Sequence, residues 1–357
     1  MPQFLRHTSG APSTCRLTQI CRRTVFALCL ALLGFATVWT FRPVSSSSTL
    51  VLYAAVGYAP QVVGAFMKQT GIPVTIINMS TGPLLARVSA EGRNADWSLV
   101  WFDGDAAATA LDQSGLLAQH TTPALPWTKL GQAVLPADGA YTPTGVTLAG
   151  VFSVAKSRAA QQLDWNTLLA PEETGKFGLA NPQLSGPAYI LLANLLALHG
   201  GWPQGQGYVR ALQQNDMQLY PVNSSNELAL QTHQINLAVV QSSAAYALAK
   251  HDPAFVVVLP SRPAILPSVI AIAANLSPRR RAAAEAFIRF AMTPKIQALR
   301  LASHTTDAMY WPVTTGITAP PELPPLDNLP VTILDPARWG AKEAAIGAWF
   351  DRLTAQP

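Results

Sequence analysis

The stretch TLVLYAAVGYAPQVVGAFMKQTGIPVTIIN, residues 49–78, decides the fold. It opens on Thr49–Ala55, apolar almost throughout, as suits a parallel strand covered on both faces. Ala59, Val62, Val63, Phe66 and Met67 then recur at helical spacing, with Gly71 as the stop. Pro73–Asn78 returns to strand character. Strand, amphipathic helix and strand in this order predict a βαβ unit and a parallel sheet.

The same alternation continues outward. Ser80 and Thr81 open a helix carrying Leu84, Leu85 and Val88, which ends at Gly92; Trp97–Phe102 is a third strand. Asp105 is placed to cap a helix running to Gly115, and residues 119–144, rich in proline, threonine and glycine, are irregular. Further strands are expected at Val146–Ala155, Phe177–Ala180, Gln218–Val222, Ile235–Val240, Phe255–Leu259 and Ser268–Ala274. Helices are expected at Tyr189–His199, Tyr208–Gln214, Asn226–Thr232, Pro278–Met292 and Trp339–Leu353. The fold class is α/β.

At 357 residues the chain is long enough for two domains, and with 49% apolar and 12% charged residues it can bury large cores. The net charge of +5 is no partner signal. Five of the 24 basic residues (Arg6, Arg16, Arg22, Arg23, Arg42) fall in residues 1–48, which hold no acid, leaving 19 basic against 19 acidic residues. A neutral body carries no footprint for nucleic acid. Arg16, Arg22 and Arg23 precede an uncharged run, Thr24–Phe41, and a serine cluster follows, Ser45–Ser48. That pattern reads as an export leader: residues 1–48 are a cleaved signal peptide, or residues 24–41 stay as an inner-membrane anchor, with the body outside in either case. All three cysteines (Cys15, Cys21, Cys29) lie in this leader, so the body has no disulfide, thiol nucleophile or cysteine metal site.

An exported hydrolase is the natural rival. No Gly-x-Ser-x-Gly elbow and no His-Glu-x-x-His are present, and His120, His199, His233, His251 and His304 are scattered. Without a nucleophile or base held by an orienting partner, the sequence gives no case for an enzyme.

Four stretches carry a resemblance: residues 68–92 (KQTGIPVTIINMSTGPLLARVSAEG), 95–117 (ADWSLVWFDGDAAATALDQSGLL), 164–196 (DWNTLLAPEETGKFGLANPQLSGPAYILLANLL) and 275–302 (NLSPRRRAAAEAFIRFAMTPKIQALRLA). In this order they resemble the extracellular solute-binding proteins that serve ABC importers for iron(III), thiamine, phosphonates and sugar phosphates. The resemblance implies the two-lobed periplasmic binding protein fold (type II), with two crossover strands forming a hinge. Lobe one is expected at residues 49–145 and 268–357, closing in a C-terminal helix, and lobe two at 146–267. It further implies a monomer in the periplasm, without cofactor or resident metal, whose partners are a small-molecule solute and a membrane-embedded ABC permease with its ATPase. A tethered form that feeds a membrane sensor is an alternative role.

In an open α/β sheet, ligands sit beyond the carboxyl ends of the strands, where helix N-termini present unpaired N–H groups that favour anions. Ser80 with Thr81, Ser185 with Gly186, and Ser224 with Ser225 begin three such helices at positions matching the family's ligand loops. Each can also be an ordinary cap. Asp103, after the third strand, can receive a cation or a ligand amine, or can serve the turn. Gly57 stands near where some ferric relatives supply a histidine, and Gln241-Ser242-Ser243 where they carry adjacent tyrosines. Tyr246 is then a lone phenol, which is thin for ferric iron. Tyr58, Tyr189 and Tyr246 are cleft aromatics that can stack on a cationic group, or core residues; Trp101, inside an apolar strand, is expected in the core. The expected solute carries an anion, of the phosphonate or sugar phosphate class, with ferric iron as the alternative.

Overall fold

The computed structural model describes residues 49–355 apart from Ala95 and His304. The expected leader lies outside the described residues. The elements are β1 (Leu50–Ala54), α1 (Ala59–Thr70), β2 (Val74–Asn78), α2 (Thr81–Glu91), β3 (Leu99–Asp103), α3 (Asp105–Gln113), α4 (Lys129–Ala133), β4 (Tyr141–Ala155), β5 (Phe177–Ala180), α5 (Gly186–Leu198) and α6 (Gln206–Gln214). They continue with β6 (Gln218–Tyr220), α7 (Asn223–Gln231), β7 (Leu237–Gln241), α8 (Ser242–His251), β8 (Phe255–Val258), β9 (Ala264–Ile272), α9 (Pro278–Ala291), α10 (Pro294–Leu301), α11 (Pro336–Gly340) and α12 (Glu343–Thr354).

One sheet runs in the order β2-β1-β3-β9-β4-β7-β5-β6, with β8 paired to β4. Its two ends are parallel, as the βαβ pattern requires: β1 with β2 and β3, and β5 with β6 and β7. Its middle is antiparallel, because β9 lies between β3 and β4. The 15-residue β4 is the longest strand. Its first half pairs with β9 and its second with β7 and β8, so one strand belongs to both ends of the sheet. Expected at Val146, β4 starts five positions earlier because Tyr141–Pro143 pair with β9, the register shifting between Pro143 and Gly145.

Each end of the sheet has its own core. Leu50, Leu52, Phe66, Trp101 and Phe287 pack together near the β1 end, with Phe66 edge-on to Phe287 at 5.0 Å. Phe152, Trp165, Phe177, Leu191 and Leu196 pack at the other, where Phe152 and Trp165 meet edge-on at 5.3 Å. Burying each such side chain contributes about 1.5–3 kcal/mol. Trp101 is fully buried, as expected of a residue in an apolar strand.

Three local expectations need correction. Gly104, not Asp105, is the N-cap of α3, its φ of 122° lying where side chains are disfavoured, and Asp105 is the first helical residue. The C-terminal helix is two helices, α11 and α12. The segment after β7, for which no element was expected, forms α8.

Candidate functional site

The ends of β1, β3 and β7 and the starts of α2, α5 and α7 meet around a cavity of about 160 Å³. Its lining includes Ser80, Thr81, Asp103, Leu184, Ser185, Asn223, Ser224, Gln241, Thr306 and Asp307. The two ends of the sheet touch beside it. Gly82 N–H donates to the Leu184 carbonyl at 3.2 Å, and Gln241 Nε2 donates to Asp103 Oδ2 at 2.9 Å and to Thr147 Oγ1 at 2.9 Å.

Thr81 and Ser185 are 5% and 7% exposed, and no hydrogen bond engages either hydroxyl among the described residues. Ser185 does not cap α5, nor Ser80 α2. These hydroxyls therefore face the cavity with their capacity unspent, together with first-turn N–H groups that have no partner inside a helix. Asn223 and Ser224 bring the start of α7 to the same space.

The acidic side of the cavity rests on a network that is half-buried at Asp307 and buried at Arg300 and Tyr58. Asp307 Oδ2 accepts from Gly57 N–H at 2.6 Å, which ties the segment after α10 to the end of β1. Arg300, 1% exposed, donates to the Thr144 carbonyl at 2.6 Å, to Gln297 Oε1 at 3.0 Å and to Tyr58 Oη at 2.8 Å. Its guanidinium lies over the rings of Tyr58 and Tyr310 at 4.2 and 4.3 Å. Tyr58 Oη meets Ser268 Oγ at 3.0 Å. Burial pushes Asp103 up to about 7, and the neighbouring Asp307 carboxylate adds to the rise; Gln241, Ser268 and Arg300 oppose it. Asp307 is raised as well, chiefly by burial.

Of the residues expected to hold a ligand, Ser80, Thr81, Asp103, Ser185 and Ser224 line the cavity. The others do not. Gly57 lies on an adjoining groove with Asn78 and Met79 and reaches the site only through Asp307. Tyr58 is buried beneath it, a partner of Arg300. Gly186 lets the chain pass close: a Cβ there would collide with the Asp103 carbonyl and crowd Thr81. Tyr189 turns into the core and donates to the Trp339 carbonyl at 2.6 Å. Ser225, the third residue of α7, reaches back to the N-cap residue, accepting from Val222 N–H at 3.3 Å and donating to the Val222 carbonyl at 2.9 Å. Ser243 is fully buried and does not reach the cavity, and Tyr246 packs half-buried against the core. Asp307 and Thr306 are cavity residues that the sequence reading did not select.

Burial raises other acids as well, Asp105 to about 7 and Glu227 to about 8. In the unfolded chain these carboxyls ionise near pH 4. Between that pH and about 8, the folded state holds protons that the unfolded state releases, so stability falls as pH rises. The solute-free protein should therefore melt at a lower temperature at pH 8 than at pH 5.5, and Asp105→Asn should flatten the slope. Calorimetric melts at the two pH values check this; an equal or higher melting temperature at pH 8 refutes it.

A family model for bacterial extracellular solute-binding proteins matches residues 61–330. No curated protein matches the chain by sequence. Among solved structures, the periplasmic binding protein AfuA from Actinobacillus pleuropneumoniae, with fructose-6-phosphate bound, superposes with a TM-score of 0.76 at 16% identity over 87% of this chain and 99% of that one. Iron-bound HitA from Pseudomonas aeruginosa gives 0.69 at 20% identity over 84% and 98%. A periplasmic thiamin binding protein gives 0.67 at 18% over 86% and 96%. At such identities the likeness shows the fold: the periplasmic binding protein architecture.

Proposed function

Since the chain belongs to the bacterial extracellular solute-binding proteins, we propose that it closes around a small, anion-bearing solute, of the phosphonate or sugar phosphate class, and presents it to an ABC permease. The lobes are residues 49–145 with 268–357, and 146–267, except that α12 packs on the second lobe, its Trp349 and Phe350 in one core with Phe152, Trp165 and Phe177. The hinge is β4 and β9, the two strands shared between the ends of the sheet. A solute bridging the lobes stabilises the closed arrangement by its excess affinity for that state.

The observation that carries this reading is the pair of buried, unengaged hydroxyls, Thr81 on lobe one and Ser185 on lobe two, each at a helix start on a cavity wall. Hydroxyls and helix N–H groups together suit an oxyanion without any basic side chain. That AfuA, of the same fold, holds fructose-6-phosphate supports the class. Ferric iron fits less well: no tyrosine lines the cavity, and no cluster of three metal-ligating side chains occurs among the described residues.

The test is thermal-shift screening of the purified protein against phosphonates, sugar phosphates, thiamine, polyamines and ferric salts. Phosphate or phosphonate compounds should raise the melting temperature; a rise with ferric ion alone refutes the proposal. Ser185→Ala should weaken the hit at least tenfold. Ser225→Ala should leave affinity unchanged and cost about 1 kcal/mol of stability, as loss of a cap does.

A further inference from the structure

The cavity holds charge of one sign. Asp103 and Asp307 both line it, and no lysine, arginine or histidine stands among its described lining residues. Asp103 is 7% exposed. Arg300 is the nearby buried cation, but it lies behind the wall, committed to Thr144, Gln297 and Tyr58. Burial raises both carboxyls above the ordinary carboxylate range, with Arg300 as the nearby cation that opposes the rise. Water favours their ionised forms while the cleft is open. Closure removes the water, and a buried charge without a partner is costly.

The acids also come from one side. Asp103 ends β3 and Asp307 is fixed to the end of β1 through Gly57, both at the β1 end of the sheet. Ser185, Asn223 and Ser224 begin α5 and α7 at the opposite end. The closed cavity is thus polar in a second sense: a wall that carries both acids, beside Ser80 and Thr81 at the start of α2, faces a wall of helix starts and hydroxyls alone.

We propose that the solute is a zwitterion, with a protonated amine against Asp103 and Asp307 and an oxyanion against the starts of α5 and α7. The anion half rests on the function proposed above; the ammonium half rests on the carboxylates. An ammonium brings a positive charge and donors to both carboxylates. The hydroxyls of a neutral polyol supply donors but no charge, and leave the ionisation of both carboxyls opposed by burial. Gln241, which donates to Asp103 across the cleft, then orients that carboxylate toward the amine.

Calorimetric titration of the full chain with three small probes separates the two halves of the idea. O-phosphoethanolamine carries both groups, ethyl phosphate lacks the amine, and ethanolamine lacks the anion. Phosphoethanolamine should bind at least tenfold more tightly than ethyl phosphate and at least a hundredfold more tightly than ethanolamine. Asp307→Asn should bring phosphoethanolamine and ethyl phosphate within about threefold of each other. Asp103→Asn should do the same, and serves as the second variant if Asp307→Asn folds poorly. Ser185→Ala should weaken both phosphates alike. Ethyl phosphate or glucose 6-phosphate binding as tightly as phosphoethanolamine overturns the ammonium half while keeping the anion. Ethanolamine binding as tightly as phosphoethanolamine overturns the anion half, and with it the proposed function. Failure of phosphoethanolamine to bind at millimolar concentration overturns the zwitterion.

Discussion

Arg300→Met should destabilise the protein by about 3–5 kcal/mol, the cost typical of removing one partner from a buried charged network. Measured against a total stability of about 5–15 kcal/mol, that is a large fraction of what holds the chain folded. Methionine comes close in volume, but it returns neither the cation over Tyr58 and Tyr310 nor any of three hydrogen bonds. The Thr144 carbonyl loses its side-chain donor, and Asp103 and Asp307 lose the cation that draws them toward ionisation. Lysine is a poor substitute: it restores the charge, but not the planar fork that reaches Thr144, Gln297 and Tyr58 together. Urea unfolding followed by circular dichroism should show the midpoint falling sharply with an unchanged slope. A loss below 1 kcal/mol would show that the network does not hold the floor of the cleft.

Gly82→Ala should leave the solute-free protein folded and abolish tight binding, with affinity falling at least a hundredfold. Gly82 lies in the first turn of α2, where alanine is the better helix former by about 1 kcal/mol. The added methyl, however, would land on the backbone carbonyl of Gln183 across the cleft. It would also break the approach that lets Gly82 N–H bond the Leu184 carbonyl. Backbone atoms on both sides leave no flexible side chain to yield, so the substitution penalises the closed arrangement alone. Gly186→Ala meets the Asp103 carbonyl in the same way and should act alike. Unchanged affinity in Gly82→Ala would mean that solute is held without this contact.

The strand and helix pattern was legible because burial imposes its period directly on the sequence. Gly71 ends α1 in the left-handed conformation that its position suggested, and Thr49–Ala55 reduces to β1 by two residues. Ser80, Thr81, Ser185 and Ser224 were legible as cavity residues because helix starts beyond strand ends are where this architecture opens. Asp307 was not. It sits after α10 in a segment without period, and only the bond to Gly57, 250 positions away, makes it part of the site. Arg300 was equally hidden, since an arginine in the last turn of an ordinary helix is usually solvated, whereas this one is swallowed by three aromatic rings. Tyr189 misled for the opposite reason. One turn after Ser185 it shares a helix with a cavity residue, yet its phenol points to Trp339 in the core. Spacing along a helix gives the turn; the neighbouring element decides the face.

The most direct test of closure uses a pair of spin labels at exposed helical positions on the two lobes, Ser89→Cys in α2 and Gln214→Cys in α6. The body from residue 49 has no cysteine of its own, so with Cys15, Cys21 and Cys29 replaced by serine these two sites label cleanly. With the solute that gives the largest thermal shift, the distance distribution should collapse to one short population. Gly82→Ala should keep the longer, broader distribution at the same solute concentration. An identical distribution with and without bound solute would contradict capture by closing lobes.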